Sequence, residues 1–235
     1  MAVVKNKNKK KLLDSKRKLV SKYDPKSPIS EQYRTIRTNI LYSSIDEEIR
    51  TLMVTSSGPG EGKSTTTANL AVVFAQQGKT VLLVDADLRK PTVHYTFKLP
   101  NTIGLTSVLT NQVGITEAVN KTDESNLYVL SSGPIPPNPS ELLGSKAMHH
   151  FMEQAQEEFD LIIFDTPPVL AVTDAQILGN LCNGSVLVVS SGKTEKDSLI
   201  KTKELLTGTK GRLLGVVLNN KKVDKKGNYY YYGTN

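Results

Sequence analysis

The residues with the clearest chemical potential form a glycine-rich stretch that is followed by lysine and serine. The stretch reads VTSSGPGEGKSTTTANLA, and its glycines are Gly58, Gly60 and Gly62. Glycine lets a backbone curl so that successive N–H groups face one anion, and a helix that begins directly afterwards adds its partial positive charge. In such a loop Lys63 would reach the β- and γ-phosphates of a nucleotide, and Ser64 would bind Mg²⁺. The pattern therefore predicts a nucleotide-phosphate site.

The phosphate loop departs from its usual pattern, G-x-x-x-x-G-K-[ST], at one position. Ser57 stands where the first glycine belongs when the pattern is counted back from Gly62. An apolar stretch before the loop and a helix-forming stretch after it keep the expected strand–loop–helix context. We assign nucleotide binding to Gly58, Pro59, Gly60, Glu61, Gly62, Lys63, Ser64 and Thr65, and an adenine contact to Asn219, which follows the last apolar stretch.

Three aspartates come at the ends of two further apolar stretches. VLLVDADLR contains Asp85 and Asp87, and LIIFDTPP contains Asp165. In open α/β sheets ligands bind at the carboxyl ends of strands, and alternation along an extended backbone points Asp85 and Asp87 to the same side. Any one of the three could be a helix cap or a turn residue. Three together beside a phosphate loop favour a site for Mg²⁺ and a nucleotide.

The elements that must position these residues alternate along the chain. Short runs of Val, Leu and Ile predict strands, and amphipathic or capped segments between them predict helices, one of which should run from Pro139 to about Phe159. This alternation predicts an α/β fold with a mostly parallel sheet and helices on both faces. The predicted strands are residues 50–57, 80–87, 126–132, 160–165, 185–191 and 212–220. The other predicted helices are residues 31–45, 64–77, 104–110, 114–120, 173–181 and 195–208.

The positive net charge of +7 belongs to the N-terminal segment. Nine of the 30 basic residues but one of the 23 acidic residues lie in residues 1–22, which leaves 21 basic and 22 acidic residues elsewhere. We expect a flexible basic arm (residues 1–28), a nucleotide-binding domain (29–220) and a flexible tyrosine-rich tail (221–235). The arm is either a solvated tail or a contact for a membrane surface or an acidic partner. Nucleic-acid binding is not expected, because the body shows no basic surface with interleaved aromatic residues.

Other features of the sequence narrow the class of protein. No stretch approaches the roughly 18–20 apolar residues of a membrane-spanning helix, and one cysteine, Cys182, cannot form an internal disulfide, so we expect the reducing cytoplasm. A GTPase would show N-K-x-D, but the run that begins at Asn220 has Val223 at the fourth place. ATP is therefore the preferred nucleotide. Partition ATPases carry a lysine directly after the first loop position, where this chain has Gly58.

Taken together, these motifs resemble those of the bacterial tyrosine kinases that control exopolysaccharide and capsule synthesis. The resemblance covers nearly the whole chain. Its carriers are SGPGEGKST (Walker A), VLLVDADLRKP (Walker A′), LIIFDTPP (Walker B), EQYRTIR and the C-terminal run YYYY. It implies a P-loop NTPase fold of the deviant-Walker, MinD-like type, with ATP and Mg²⁺ as the donor and tyrosine hydroxyls as acceptors.

The resemblance also implies roles for individual residues. Lys63 and the loop amides would bind the phosphates, and Asp85 would be the base beside the acceptor hydroxyl, although the division of roles between Asp85 and Asp87 stays open. Arg89 would steady the γ-phosphate or the acceptor, or else form a salt bridge. The metal ligands would be Ser64, Asp87 and Asp165, and the phosphoacceptors would be Tyr229, Tyr230, Tyr231 and Tyr232.

Assembly and partners are likewise implied by the resemblance. Glu31, Arg34 and Arg37 lie three residues apart, so they share a helix face and would mediate a ring in which one tail enters the neighbouring site. A separate transmembrane activator would hold the kinase at the inner face of the cell membrane, and protein substrates would include UDP-sugar dehydrogenases. Two rival readings are a partition-type ATPase switch without kinase activity and a structural component of polysaccharide polymerisation.

Overall fold

The computed structural model describes residues 19–43 and 48–222. Within these residues seven strands form one sheet in the order β3-β4-β2-β5-β1-β6-β7. All neighbouring strands run parallel except β3 and β4, which run antiparallel. The strands are β1 (Thr51–Ser56), β2 (Val81–Asp85), β3 (Asn120–Lys121), β4 (Leu127–Leu130), β5 (Leu161–Asp165), β6 (Gly184–Ser190) and β7 (Arg212–Asn219). The predicted α/β fold with a mostly parallel sheet is confirmed.

Ten helices of the described residues connect and cover these strands. They are α1 (Val20–Tyr23), α2 (Pro28–Tyr42), α3 (Lys63–Ala75), α4 (Val93–Phe97), α5 (Leu105–Leu109), α6 (Ile115–Ala118), α7 (Pro139–Leu143), α8 (Lys146–Glu158), α9 (Asp174–Gly179) and α10 (Lys196–Thr207). No helix in the described part of the chain is both long and apolar enough to cross a bilayer.

The two faces of the sheet carry separate hydrophobic cores. Along β1, Leu52 and Val54 pack with residues of α3, whereas Met53 packs on the opposite face with residues of α8. This alternation is the two-residue period of a strand that is covered on both sides. Helix α3, which begins at the phosphate loop, is buried on nearly every side because α1 and α2 lie over it.

The sequence placed residues 1–28 in an arm outside the domain, but the folded part begins earlier. Leu19 is buried, and the amide of Ser21 donates to Asn69 Oδ1 at 2.9 Å. Helix α1 therefore packs against α3. Burial of one leucine and the hydrogen bond to α3 offset the entropy of ordering this short segment.

The single helix predicted from Pro139 to Phe159 is wrong, because the structure divides it at Gly144. Helix α7 ends there, and Ser145 begins α8 by accepting a hydrogen bond from the amide of Met148. Serine at this position is a strong helix start. Three short elements, α1, α4 and β3, were not predicted from the sequence.

Candidate active site

The phosphate loop lies between the carboxyl end of β1 and the first turn of α3, as the sequence predicted. Gly60 and Gly62 have positive φ angles of 73° and 95°. A Cβ atom at Gly62 would lie 2.0 Å from Asn219 Nδ2, so this position needs glycine for space as well as for conformation. The first turn of an α-helix directs its amides away from the helix body, so an anion can bind at the N-terminus of α3.

Lys63 connects the phosphate loop to the predicted aspartates. Its Nζ lies 3.1 Å from Asp87 Oδ2, 3.4 Å from Asp165 Oδ1 and 3.2 Å from Ser64 Oγ. Burial by itself lowers the pKa of Lys63, but attraction to Asp165 and Asp87 outweighs burial, so the pKa is raised. The lysine therefore stays protonated beside the loop.

Asp85 is fully buried and is held by the backbone on one side. Its Oδ2 accepts hydrogen bonds from the amides of Thr92 and Val93, both at 2.9 Å, and Oδ1 has no hydrogen-bond partner among the described residues. Burial, and next the charge of Asp165 opposite it on β5, raise the pKa of Asp85 to about 7. A carboxylate with such a pKa and one free oxygen can accept a proton near neutral pH.

Asp165 and Asp87 lie around the same ammonium group. Burial raises the pKa of Asp165, although Lys63 opposes the rise, and its Oδ2 is buried without a partner in the described structure. Asp87 Oδ1 accepts from the amide of Lys90 at 3.0 Å, which leaves Oδ2 for Lys63. A cation therefore already lies where two carboxylates of neighbouring strands converge.

The residues predicted to bind Mg²⁺ fit that ion only together with a nucleotide. No group of three or more His, Cys, Asp or Glu side chains within residues 19–43 and 48–222 is arranged to hold a metal by itself. Ser64 Oγ accepts a hydrogen bond from Lys63 Nζ, and Asp87 and Asp165 both contact the same ammonium group. One hydroxyl and two carboxylates suit Mg²⁺, which takes phosphate oxygens and waters for its remaining positions.

Arg89 forms a salt bridge, which was one of the two alternatives left by the sequence. Its Nε and Nη2 donate to the two oxygens of Asp174 at 2.9 and 3.0 Å, and Nη2 also donates to Ser140 Oγ at 2.9 Å. Asp174 is completely buried. This bidentate pair joins the Walker A′ loop to α7 and α9. Sequence reasoning missed both partners because they lie 51 and 85 residues away.

Two predicted nucleotide contacts are engaged within the protein. Asn219 Nδ2 donates to the carbonyl oxygen of Glu61 at 2.9 Å, which places the side chain against the phosphate loop. The amide of Gly58, predicted to face the phosphates, instead donates to Glu61 Oε2 at 3.1 Å. The Glu61 side chain folds back over its own loop, so its carboxylate occupies the position in front of the Gly58 amide.

The three residues predicted to mediate assembly, Glu31, Arg34 and Arg37, do not share one environment. Arg34 pairs with Glu31 on the exposed side of α2, whereas Arg37 Nη1 donates to the carbonyl oxygen of Val73 on α3 at 2.7 Å. The predicted phosphoacceptors, Tyr229 to Tyr232, lie outside the described residues.

A phosphate loop between β1 and its helix, with aspartates at the carboxyl ends of β2 and β5, defines a P-loop NTPase of the α/β class. A family model described as an AAA domain matches residues 49–194. Tyrosine-protein kinase YwqD of Bacillus subtilis (strain 168) is 60% identical over 218 residues, which are 93% of this chain and 92% of that protein.

Solved structures show the same relationship. The chimerical protein CapA2B2 is 47% identical, with a TM-score of 0.84 over 86% of this chain and 89% of that one. The kinase domain of the Escherichia coli tyrosine kinase ETK is 31% identical, also with a TM-score of 0.84, over 93% and 85% of the two chains. The chain belongs to the bacterial tyrosine-protein kinase family, as the sequence motifs had indicated. It is accordingly an enzyme of the tyrosine-protein kinase class.

Proposed function

We propose that this chain uses ATP to phosphorylate the tyrosines of its own C-terminal cluster and of other proteins, and thereby regulates exopolysaccharide or capsule synthesis. One observation carries the proposal. Lys63 lies between Asp87 and Asp165 at the phosphate loop, with the free Oδ1 of Asp85 in the same charge cluster. Such a site offers both a cation for transferring phosphoryl oxygens and a carboxylate for the hydroxyl that accepts the phosphoryl group.

The transfer step follows from these positions. The acceptor tyrosine oxygen attacks the γ-phosphorus of ATP while the bond from that phosphorus to the β–γ bridging oxygen breaks, and ADP leaves. The hydroxyl proton passes to Asp85, which is less basic than a tyrosinate and so takes the proton late. Lys63 and the amides from Gly60 to Thr65 stabilise the charge on the phosphates. Because Asp85 is completely buried, the acceptor reaches Oδ1 only after the site opens.

Mg²⁺ would be held by Ser64, Asp87 and Asp165, and when bound it neutralises charge on the β- and γ-phosphate oxygens. Lys63 must then release at least one of the two carboxylates that it contacts in this structure. Its stem is long enough to turn toward the phosphates while its ammonium group keeps a negative partner.

Anti-phosphotyrosine blotting of the purified chain after incubation with ATP and Mg²⁺ tests the proposal. Lys63→Met should abolish the signal, and Asp85→Ala should nearly abolish it while nucleotide still binds. Phenylalanine at Tyr229 to Tyr232 should remove autophosphorylation and spare the phosphorylation of an added protein. Wild-type labelling of Asp85→Ala would refute its role as base, and a wild-type chain that hydrolyses ATP without any phosphotyrosine would favour a partition-type ATPase switch.

The C-terminal tail is long enough to enter the active site of a neighbouring subunit. About ten residues separate Asn220 from the middle of the cluster, and they span at most roughly 35 Å when extended. We therefore propose phosphorylation in trans within a ring that forms through the motif of Glu31, Arg34 and Arg37. A separate transmembrane activator would bring this ring to the inner face of the membrane, where substrates such as UDP-sugar dehydrogenases would meet it.

A further inference from the structure

The carboxylate of Glu61 is nearly excluded from water although it belongs to the phosphate loop itself. The residue is 4% exposed. Its Oε2 accepts hydrogen bonds from the amides of Ser57 at 2.9 Å and Gly58 at 3.1 Å. Burying a carboxylate is costly unless donors replace its hydration water. These two bonds meet part of that need, and they tie residue 61 to the start of its own loop.

Thr194 supplies the donor for the other oxygen of this carboxylate. It lies in the β6–α10 segment (residues 191–195), and its Oγ1 donates to Glu61 Oε1. The same hydroxyl oxygen accepts from the amide of Ser190, the last residue of β6, at 2.8 Å. A chain of hydrogen bonds therefore runs from the carboxyl end of β6 through Thr194 to the phosphate loop.

Lys193, in the same segment, holds the backbone of the loop. Its Nζ donates to the carbonyl oxygens of Pro59 at 2.9 Å and Gly60 at 3.3 Å. In a planar trans peptide the C=O group and the following N–H group point in opposite directions, and the described chain has no cis peptide bond. The amides of Gly60 and Glu61 consequently point away from Lys193. A loop with its carbonyls held outward leaves its amides free to converge on an anion.

We infer that Thr194 and Lys193 are positioning residues, which act through Glu61 and the loop backbone to hold the phosphate loop in the shape that binds nucleotide. The inference rests on the proposed function in one respect, that this loop binds nucleotide phosphates. Neither side chain contacts Lys63, Asp85, Asp87 or Asp165 in the hydrogen bonds and ion pairs that the structure gives it. Loss of the Thr194 hydroxyl should therefore weaken nucleotide binding and leave the transfer step unchanged.

Substitution of Thr194 in the full chain tests this inference. Thr194→Val removes the hydroxyl at nearly constant volume, whereas Thr194→Ser keeps it. A hydrogen bond to a charged group contributes about 1.5–3 kcal/mol, so we expect Thr194→Val to raise the Kd for Mg·ATP and the KM for ATP roughly tenfold or more. The kcat should stay within about twofold of wild type, because the bond acts equally on bound substrate and transition state. Thr194→Ser should restore wild-type Kd and KM.

Thr207→Val is the matched control, because Thr207 is exposed at the opposite end of α10 and donates only a local hydrogen bond to Glu204 O. It should leave Kd, KM and kcat unchanged. Lys193→Met, which keeps the apolar stem, should also raise Kd and KM at constant kcat, and it carries the test if thermal unfolding shows that Thr194→Val does not fold.

Two results would overturn the positioning role while the proposed function stands. One is wild-type affinity in folded Thr194→Val and Lys193→Met, and the other is a loss confined to kcat. A Thr194→Ser variant as weak as Thr194→Val would also overturn it. A wild-type chain that binds no nucleotide would overturn both this inference and the proposed function.

Discussion

At the scale of the residue, the site contains buried carboxyl groups, which are costly to the stability of a fold. Asp85 and Asp165 are both completely buried, they face each other across β2 and β5, and each has an oxygen without a partner among the described residues. Lys63 compensates one of them directly, through its contact with Asp165. Unsatisfied buried carboxylates lower stability, and they persist where a ligand or a proton transfer needs them.

Asp85→Asn should therefore stabilise the nucleotide-free protein at high pH. The pKa of Asp85 is about 7 in the folded chain and 3.8 as its ordinary value. Between these values the folded state keeps a proton that the unfolded state has released. The free energy of unfolding therefore falls as the pH rises from about 4 to 7, and the contribution of Asp85 is constant above that range. At about 1.4 kcal/mol per pKa unit, the gain from asparagine should be small near pH 4 and reach a few kcal/mol at pH 8.

Urea unfolding of wild type and Asp85→Asn at pH 4.5, 6 and 8, with EDTA present, measures this gain. The pH 4.5 pair is the internal reference, because Asp85 is then mostly neutral in the folded protein. Stability curves that stay parallel across the whole range would contradict the raised pKa.

The sequence predicted the residues that bear charge in the site but not the residues that hold them. Lys63, Asp85, Asp87 and Asp165 follow from three motifs and from the rule that parallel strands end at one edge of a sheet. The partners Thr194 and Asp174 come from segments that are distant in sequence, and nothing local marks their side chains. The polar run after β6 was the one available signal, because it too follows the carboxyl end of a strand.

At the scale of the element, α2 and α3 form a unit that joins the predicted assembly motif to the phosphate loop. Val73 lies in the last turn of α3, where carbonyl groups lack helical donors. The amide of Gln77, which an α-helix would direct to the carbonyl of Val73, donates to Phe74 O instead. Arg37 of α2 donates the hydrogen bond that the Val73 carbonyl would otherwise lack. Burial raises the pKa of Tyr33, one turn earlier on α2, and the nearby side chain of Thr66, in the first turns of α3, opposes that rise. Helix α2 thus contacts α3 near both of its ends.

Arg37→Met should accordingly destabilise the chain more than Arg34→Met does. Arg37 donates to a carbonyl at a helix C-terminus, where a cation is favourable, and the loss should cost about 1 kcal/mol. Arg34 pairs with Glu31 within one exposed helix face, and such pairs contribute roughly 0.2–0.5 kcal/mol. Both variants lose a residue of the assembly motif, so the difference between their urea midpoints reports the contact between α2 and α3. Equal midpoints would contradict it.

Secondary structure was predictable to the extent that local patterns decided it. The strands that carry the site read as apolar runs, and all of them were found. The break at Gly144 was not predicted, because the residues on both sides of it are good helix formers. The start of α8 depends on a single capping hydrogen bond, from the amide of Met148 to Ser145 Oγ. Helix α4 was missed because its N-terminal amides are held by Asp85 rather than by a local cap.

At the scale of the whole molecule, charge is divided between a nearly neutral body and a basic N-terminal segment, and the C-terminal tail carries both lysines and the tyrosine cluster. Lys221 and Lys222 precede the cluster, and Lys225 and Lys226 lie closer to it. Before modification this tail carries four lysines and one aspartate, so it is positive and would suit the acidic site of a neighbour in the proposed ring. Each phosphate adds about −1.5 to −2 charges, so four would add roughly −6 to −8 and reverse its sign.

Phosphorylation of the tail should therefore loosen the proposed ring. A negative tail is repelled by the aspartates of the neighbouring site. Once the tail leaves that site, the contact between the two subunits that the tail made is lost. Size exclusion with light scattering, before and after incubation with ATP and Mg²⁺, should show the mass fall toward that of the single chain. Lys63→Met and the variant with four tail phenylalanines should keep their starting mass, because neither gains phosphate on the tail. An unchanged mass for wild type whose tail is fully phosphorylated by mass spectrometry would refute the charge-driven release.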